Sequence, residues 1–249
     1  MKKDNIKICI TGNGADELFA GYYHHYNLFY NSLKKNRDRQ LFIKDWRANV
    51  LPVLRNSEYK NIYNKNIKSF FTFFDEKYLK QKNLKEFKDR HFTKNILKNK
   101  MLNELFYQTM PLALFEDDLN SMYYSIENRS PFLNKDLVDL STKIPTSLLM
   151  KNSYNKYLLR YCSKGFIDDR IRLNREKKGF NASFYSIFSF KDKKFKEWFF
   201  DAKSPICEFI NRKVFLKSFK SNYEKGFSDM NEQGLFNICS AKIFLENIS

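Results

Sequence analysis

The chain has 249 residues, a hydrophobic content of 43% with 26 Phe and 15 Tyr, and a formal net charge of +17. A chain of this length can bury roughly 70 to 75% of its unfolded surface, and this composition excludes an intrinsically disordered protein. Its four cysteines lie far apart without a CxxC pair, which argues against a disulfide framework and against a cysteine zinc site.

The excess of positive charge allows a nucleic-acid-binding function, because clustered Lys and Arg neutralise phosphates. Lysine is spread over almost every segment, however, and no alternation of basic and aromatic residues resembles an RNA-recognition motif. Nucleic-acid binding is therefore disfavoured and stays an alternative. The start "MKKDNIKICITG" is basic and then only briefly apolar, so we expect neither a signal peptide nor a membrane span, and a cytoplasmic location.

Residues 6–11 are apolar and β-branched, which predicts one strand that ends at Gly12. Across residues 16–30 apolar side chains recur at spacings of three and four, which predicts a helix. No second strand is predicted. Because the backbone donors and acceptors of a lone strand need neighbours, we expect its partner strands in another polypeptide or in an upstream segment.

The remaining chain reads as helices joined by Asn- and Lys-rich turns. Helices are predicted over 137–143 and over 154–162, the second ending before Gly165. A further helix after Pro111 carries one apolar face made of Leu112, Phe115, Leu119, Met122 and Ile126. Across residues 41–110 the positions expected to be buried include Leu51, Leu54, Phe70, Phe71, Phe73, Phe74, Leu102, Leu105 and Phe106.

The stretch "TGNGADE" is the first candidate site. Gly12 and Gly14 allow a tight turn after the strand, and N–H groups at the start of the next helix favour a bound phosphate. Asp16 and Glu17 lie in the first helical turn, where acidic residues either cap the helix and oppose its dipole or bind Mg²⁺ beside nucleotide phosphates. The turn alone does not decide between the two.

Two further clusters carry charged groups. In "DDLNSMYYSIENRSPFLN", Glu127 and Arg129 are either a structural ion pair or a carboxylate that positions or deprotonates a nucleophile. The cations of "NREKKGF" are either a solvated loop or a phosphate-facing group. His24 and His25 are adjacent on a predicted helix and are expected to diverge, so no metal site is predicted from side chains alone.

Four motifs occur in order: "TGNGADELFAGY", "DLNSMYYSIENRSPFLN", "KYLLRYC" and "NREKKGF". They resemble the motifs SG(E/D)GADELFGGY, DRxSMxxSxExRxPFLD, KYxLR and NRxKxGF of the synthetase domain of the glutamine-dependent asparagine synthetase family. The resemblance implies a mainly α fold. Residues 1–30 would be a strand-loop-helix remnant of an α/β PP-loop ATP pyrophosphatase domain, at the truncated edge of its nucleotide-binding layer, and residues 31–249 the helical part.

The resemblance also implies a reaction. A substrate carboxylate, expected to be that of aspartate, attacks the α-phosphate of ATP bound with Mg²⁺, and ammonia from glutamine then displaces AMP to form an amide. By the motif match Asp16 coordinates Mg²⁺, Glu127 acts in the amide-forming step, and Lys177 offsets charge on the phosphates. The nucleotide pocket is lined by Gly12, Asn13 and Gly14.

The sequence departs from the family pattern at several positions. Asn13 stands where many relatives have an acid, which leaves the acceptor carboxylate open. Ala20 replaces Gly, Leu119 replaces Arg and Asn134 replaces Asp. The family's SGGLDS loop is absent, and Lys2 follows Met1 where the glutaminase cysteine would stand. We therefore expect a ligase fragment that needs an upstream polypeptide; the alternative is an inactive, partner-binding helical module.

Overall fold

The computed structural model describes residues 2–54, 57–64, 78–80, 88–177, 183–224 and 232–248. The chain forms two compact units. Unit 1 contains Met1–Ile67 and Lys88–Lys177, and unit 2 contains Lys68–Phe87 and Lys178–Ser249. Each unit has its own cluster of buried apolar side chains.

Unit 1 contains a two-stranded parallel sheet made of β1, Ile8–Ile10, and β2, Glu127–Arg129. The expectation of no second strand was therefore wrong. Segment "ENR" has no β-branched residue to signal a strand, and pairing with β1 holds it extended. The Glu127 N–H donates to the Lys7 carbonyl at 2.8 Å, and the Thr11 N–H donates to the Arg129 carbonyl at 2.8 Å.

The rest of unit 1 is helical, as predicted. Its α-helices are α1 (Ala15–Phe19), α2 (His24–Ser32), α3 (Asn36–Asn49), α4 (Ile96–Phe106), α5 (Thr109–Tyr123), α6 (Lys135–Lys143), α7 (Thr146–Leu149), α8 (Tyr157–Cys162) and α9 (Asp169–Arg172). Short 3-10 helices cover Lys2–Asp4, Leu51–Val53, Ser57–Lys60 and Pro131–Leu133. The helices predicted over 137–143 and 154–162 appear as α6 and α8.

A break separates α1 from α2 where the sequence predicted one continuous helix. Ala20 is fully buried and adopts a left-handed conformation, φ 56° and ψ 55°. The Gly21 N–H donates to the Asp16 carbonyl at 2.8 Å and closes the end of α1. An L-residue in this conformation costs about 1 to 2 kcal/mol, so Ala20 is strained at a position where the family pattern has Gly.

The core of unit 1 forms where α1 and α2 meet α4, with α3 packed against α2, and it includes Leu18, Trp46 and Leu97. Among the positions expected to be buried, Leu54 and Leu105 are buried, whereas Phe106 is 49% exposed. Leu51 and Leu102 are partly buried. The predicted positions Phe70, Phe71, Phe73 and Phe74 lie outside the described residues.

The apolar face predicted for α5 is exposed. Leu112, Phe115, Leu119 and Met122 are between 48% and 62% exposed, and of the predicted face only Ile126, beyond the helix, is buried. Helix α5 packs against α4 and β2 through its other side, where Met110 is buried. One side of α5 thus has the composition of a core surface without being covered within unit 1.

Unit 2 contains α10 (Phe184–Ile187), α11 (Lys193–Phe199), the 3-10 helix Pro205–Glu208, α12 (Arg212–Glu224) and α13 (Glu232–Ile248). Its core is built from aromatic rings, including Phe190, which packs 4.6 Å from Phe219 between centroids. No helix within the described residues has both the length and the apolar character needed to cross a membrane.

Candidate functional site

The glycine turn between β1 and α1 places the acidic pair at the end of the sheet. Gly14 has φ +90°, and a methyl group there would lie 2.4 Å from Leu133 Cδ2, so the turn requires glycine on both counts. Gly12 is exposed, and a methyl group there would meet no atom within 4 Å. The surface over Gly12 is therefore open to solvent, whereas Gly14 is packed beneath it.

Asp16 lies between two lysines. Its Oδ1 is 2.7 Å from Lys156 Nζ, and its Oδ2 is 2.9 Å from Lys177 Nζ. Two ammonium groups against one carboxylate leave a net positive charge. Burial by itself raises the pKa of Asp16, but Lys177 and Lys156 outweigh it and hold that pKa below its ordinary value.

Lys156 is fixed by the segment that follows α1. Its N–H donates to the Phe19 carbonyl at 3.1 Å, and the Asn155 side chain donates to the Gly21 carbonyl at 2.6 Å. A methyl group at Gly21 would lie 1.7 Å from Asp16 Oδ1 and 2.3 Å from Lys156 Cε. Gly21 is thus needed for the close approach of this ion pair.

Two tyrosines at the start of α2 fix Lys177. The ammonium group of Lys177 lies 4.0 Å from the centre of the Tyr22 ring, a cation–π contact. The Tyr23 hydroxyl accepts from the Lys177 N–H at 2.8 Å and donates to the Arg175 carbonyl at 3.4 Å. Of the motif "NREKKGF", the structure thus brings Lys177 to Asp16 beside the glycine turn, and the predicted role of Lys177 against phosphates stays a prediction. Residues 178–180 lie outside the described residues.

Glu17 points away from the lysines and into unit 1. It is 2% exposed, and the Tyr22 hydroxyl donates a short hydrogen bond to its carboxylate. Burial raises the pKa of Glu17, with the hydrogen bond from Tyr22 opposing it. The adjacent acids Asp16 and Glu17 therefore have opposite environments: Asp16 faces two cations and Glu17 a phenol.

Asp16 fits Mg²⁺ as one ligand, because carboxylate oxygens belong to the hard donors that this ion prefers. The lysines already engage both oxygens, so the site suits a metal ion that arrives with phosphates able to take over the ammonium groups. A small anionic ligand carrying its own cation matches this arrangement of charges.

Comparison with known proteins agrees with the motifs. A family model described as Asparagine synthase matches residues 1–242. The chain belongs to this family. It is also similar to asparagine synthetase [glutamine-hydrolyzing] 1 of Bacillus subtilis (strain 168), with 27% identity over 205 residues, covering 72% of this chain and 31% of the relative. The chain thus spans about a third of that relative's length. No solved structure matches it.

Two other residues implied by the motif match, Glu127 and Asn13, have partners other than the lysines. Glu127 is exposed on β2, where Arg129 Nε donates to its Oε1 at 2.8 Å. Asn13 Nδ2 donates to Asp117 Oδ2 at 2.6 Å, so α5 holds the amide of the glycine turn. Within the described chain, neither Glu127 nor Asn13 has a recorded hydrogen bond or ion pair with Asp16.

The expectation that His24 and His25 diverge was wrong. Both imidazoles reach one carboxylate on α4: His24 Nε2 is 2.6 Å from Glu104 Oε1, and His25 Nε2 is 2.7 Å from Glu104 Oε2. All three residues are at most 2% exposed. The two histidines are the first residues of α2, and their side chains are long enough to converge on a group that sequence spacing does not reveal.

Sequence reasoning also missed partners of the site residues. Lys156 lies in the motif "KYLLRYC", which was a sufficient signal, but no role was given to it. Tyr22 lies inside the first motif and Asp117 directly before the second, yet only the fold shows that they contact Lys177 and Asn13. Glu104 lies outside all four motifs, and no pattern in the sequence marks it.

Proposed function

We propose that the chain is part of an ATP-dependent amide ligase that activates a carboxylate, that of aspartate, and joins it to ammonia derived from glutamine. The observation that carries the proposal is the carboxylate of Asp16, held between Lys156 and Lys177 beside an open glycine turn. The nucleotide would lie over Gly12, Asn13 and Gly14. The proposed location is the cytoplasm.

In this proposal Asp16 would hold Mg²⁺ bound together with ATP, and the ion would supply positive charge against the phosphate oxygens. Lys156 and Lys177 exchange Asp16 for phosphate oxygens when the nucleotide binds. A substrate oxygen forms a bond to the α-phosphorus, and the bond to the bridging oxygen breaks, so that negative charge develops on pyrophosphate. Two ammonium groups already fixed in place stabilise that charge without reorganising.

The second step joins nitrogen to the acyl carbon and expels AMP with the bonding electron pair, while the nitrogen loses a proton. We assign this proton to Glu127. Glu127 Oε1 accepts a hydrogen bond from Arg129, which lowers the pKa of Glu127, and its other carboxylate oxygen would take the proton. Asn13 cannot serve as a base at neutral pH, and with Asp117 it would instead orient the acceptor carboxylate.

The catalytic unit is completed by an upstream polypeptide that carries the SGGLDS-like loop and the glutaminase site. Parallel sheets occur with both faces covered, but β1 has exposed side chains at Ile8 and at Ile10, which is 71% exposed. Helix α5, which packs against β2, has an apolar side that is also exposed. A partner that adds parallel strands to this sheet would cover both surfaces.

A second candidate is a partner-binding helical module without catalysis. The exposed apolar side of α5 favours it, since exposed residues with core-like composition mark interaction surfaces. This candidate needs the same docking surface but not the lysine pair.

The test is ATP–pyrophosphate exchange with aspartate, measured with and without the polypeptide encoded immediately upstream. The ligase predicts exchange only with both chains, reduced at least about 100-fold by Asp16→Asn, by analogy with the loss of one preorganised charge contact. Asp38→Asn, an exposed carboxylate on α3, is the matched control and should leave exchange unchanged. A complex that forms without exchange would favour the binding module, and neither complex nor exchange would contradict both.

A further inference from the structure

The cluster of His24, His25 and Glu104 is unused by the proposed reaction. The cluster is buried between α2 and α4. Its three residues lie outside the four motifs, and the neighbouring Tyr22 is the last residue of the first motif. A buried carboxylate persists only when its oxygens are satisfied. Here each oxygen of Glu104 accepts one imidazole N–H.

The donor atoms are close enough together to hold a metal ion, but the hydrogen bonding opposes one. His25 Nδ1 accepts from the Tyr22 N–H at 3.3 Å. A histidine that binds metal through Nε2 carries its proton on Nδ1, where it would face another N–H donor. The arrangement instead places the His25 proton on Nε2, where it is donated to Glu104.

Both histidines of the cluster contact Tyr22, the residue whose ring contacts Lys177. His25 holds the Tyr22 backbone, and the His24 ring stacks on the Tyr22 ring with centroids 5.4 Å apart and planes 11° apart. The His25 ring meets the Tyr22 ring edge-on at 5.3 Å. Contacts to its backbone and to its ring therefore fix Tyr22 from the buried side.

The Tyr22 ring also contacts the ammonium group of Lys177, which pairs with Asp16. That ring lies 4.0 Å from Lys177 Nζ, and that nitrogen is 2.9 Å from Asp16 Oδ2. We propose that Glu104, through His25 and His24, positions the Tyr22 ring that holds Lys177 beside Asp16. Glu104 is thus a positioning residue for the ammonium group. That this positioning matters for catalysis rests on the proposed function. The positioning of Lys177 itself does not depend on it.

The test compares the reactivity of two lysines in the purified full chain. Limited acetylation followed by peptide mass spectrometry gives the ratio of Lys177 modification to Lys156 modification. Lys156 is the internal reference, because both lysines contact Asp16 and a change at Asp16 itself would affect the modification of both. A cation–π contact at a partly exposed site is worth about 0.5 to 1 kcal/mol, which corresponds to roughly a two- to fivefold change in population. Glu104→Gln should raise the ratio by this factor.

Asp89→Asn is the matched control. It makes the same carboxylate-to-amide change next to α4, at a group that contacts Lys100 and Gln108, and should leave the ratio unchanged. If Glu104→Gln does not fold, as judged by circular dichroism, His25→Gln decides. Glutamine keeps a donor near the position of Nε2 for Glu104 but removes the Nδ1 acceptor of the Tyr22 N–H, so the ratio should again rise.

An unchanged ratio in a folded Glu104→Gln or His25→Gln protein would overturn the proposal. Stoichiometric zinc that stays with the wild-type chain through gel filtration would also overturn it, because metal would replace the hydrogen-bonded protons. The labelling needs no nucleotide and no partner. A raised ratio in a chain that shows no exchange even together with the upstream polypeptide would therefore contradict the proposed function and leave the positioning role intact.

Discussion

Glu104→Gln makes a quantitative prediction about stability as well. The glutamine oxygen can still accept one imidazole N–H, but its NH₂ group would face the second. One charge-assisted hydrogen bond, about 1.5 to 3 kcal/mol, is lost, and opposed buried donors add about 1 to 3 kcal/mol, less the lower desolvation cost of an amide. We expect unit 1 to lose about 2 to 4 kcal/mol of unfolding free energy at pH 7.

The stability difference between wild type and Glu104→Gln should depend on pH. Burial raises the pKa of Glu104, but its interactions with His25 and His24 outweigh it and hold that pKa below its ordinary value. The unfolded chain then takes up a proton near pH 4.5 that the folded chain does not. The wild-type advantage over Glu104→Gln is complete above pH 4.5, and it shrinks by about 1.4 kcal/mol per pH unit below it.

The assay is urea unfolding followed by the fluorescence of Trp46, which is buried in unit 1. A Trp198→Phe background removes the other tryptophan, which belongs to unit 2. Glu116→Gln, an exposed carboxylate on α5, is the control and should stay within about 0.5 kcal/mol of wild type. Equal stability of Glu104→Gln and wild type at pH 7, or a difference that does not narrow below pH 4.5, would refute the reasoning.

Three further predictions use the same unfolding assay. Gly14→Ala should cost about 2 to 3 kcal/mol, because φ is +90° and the methyl group meets Leu133, whereas Gly12→Ala should be nearly neutral; equal effects would contradict the geometry. Asn134→Ala should cost about 1 kcal/mol, because the Asn134 side chain accepts the Asp136 N–H at the start of α6, and Asn134→Asp should retain stability; an unaffected alanine variant would exclude the cap. Phe115→Ser should cost less than about 0.5 kcal/mol in the isolated chain, against about 2 to 5 kcal/mol for Leu97→Ala in the core, and a large loss at Phe115 would mean that the α5 face is covered.

The sequence could predict the strand, the turn and most helices, because β1, α6 and α8 carry local periodicity and end at turn residues. It could not predict β2, since Glu127–Arg129 is extended only through pairing with β1. The break at Ala20 was also hidden, because alanine favours a helix, whereas the carbonyls of Phe19 and Gly21 on either side of Ala20 accept from Lys156 and Asn155. Nonlocal contacts determine each of these features.

For the site, the motif resemblance implied roles for Asp16 and Lys177, and the structure places their side chains in contact; the roles of both residues stay predictions. The roles of Gly12, Asn13 and Glu127 stay predictions. The histidine cluster was missed because adjacent residues on a helix point about 100° apart, which predicts that their side chains diverge. That rule does not take into account a residue on another helix that hydrogen-bonds to both side chains. Glu104 lies 80 residues from His24 in the chain.

The contact of Lys177 with Asp16 joins residues 161 positions apart, and Lys177 is the last residue of unit 1. During synthesis at about 5 to 20 residues per second, Asp16 leaves the ribosome roughly 8 to 32 s before Lys177. Contacts this distant in sequence form late in folding. A nascent chain therefore acquires its paired lysines only after the rest of unit 1 has been made.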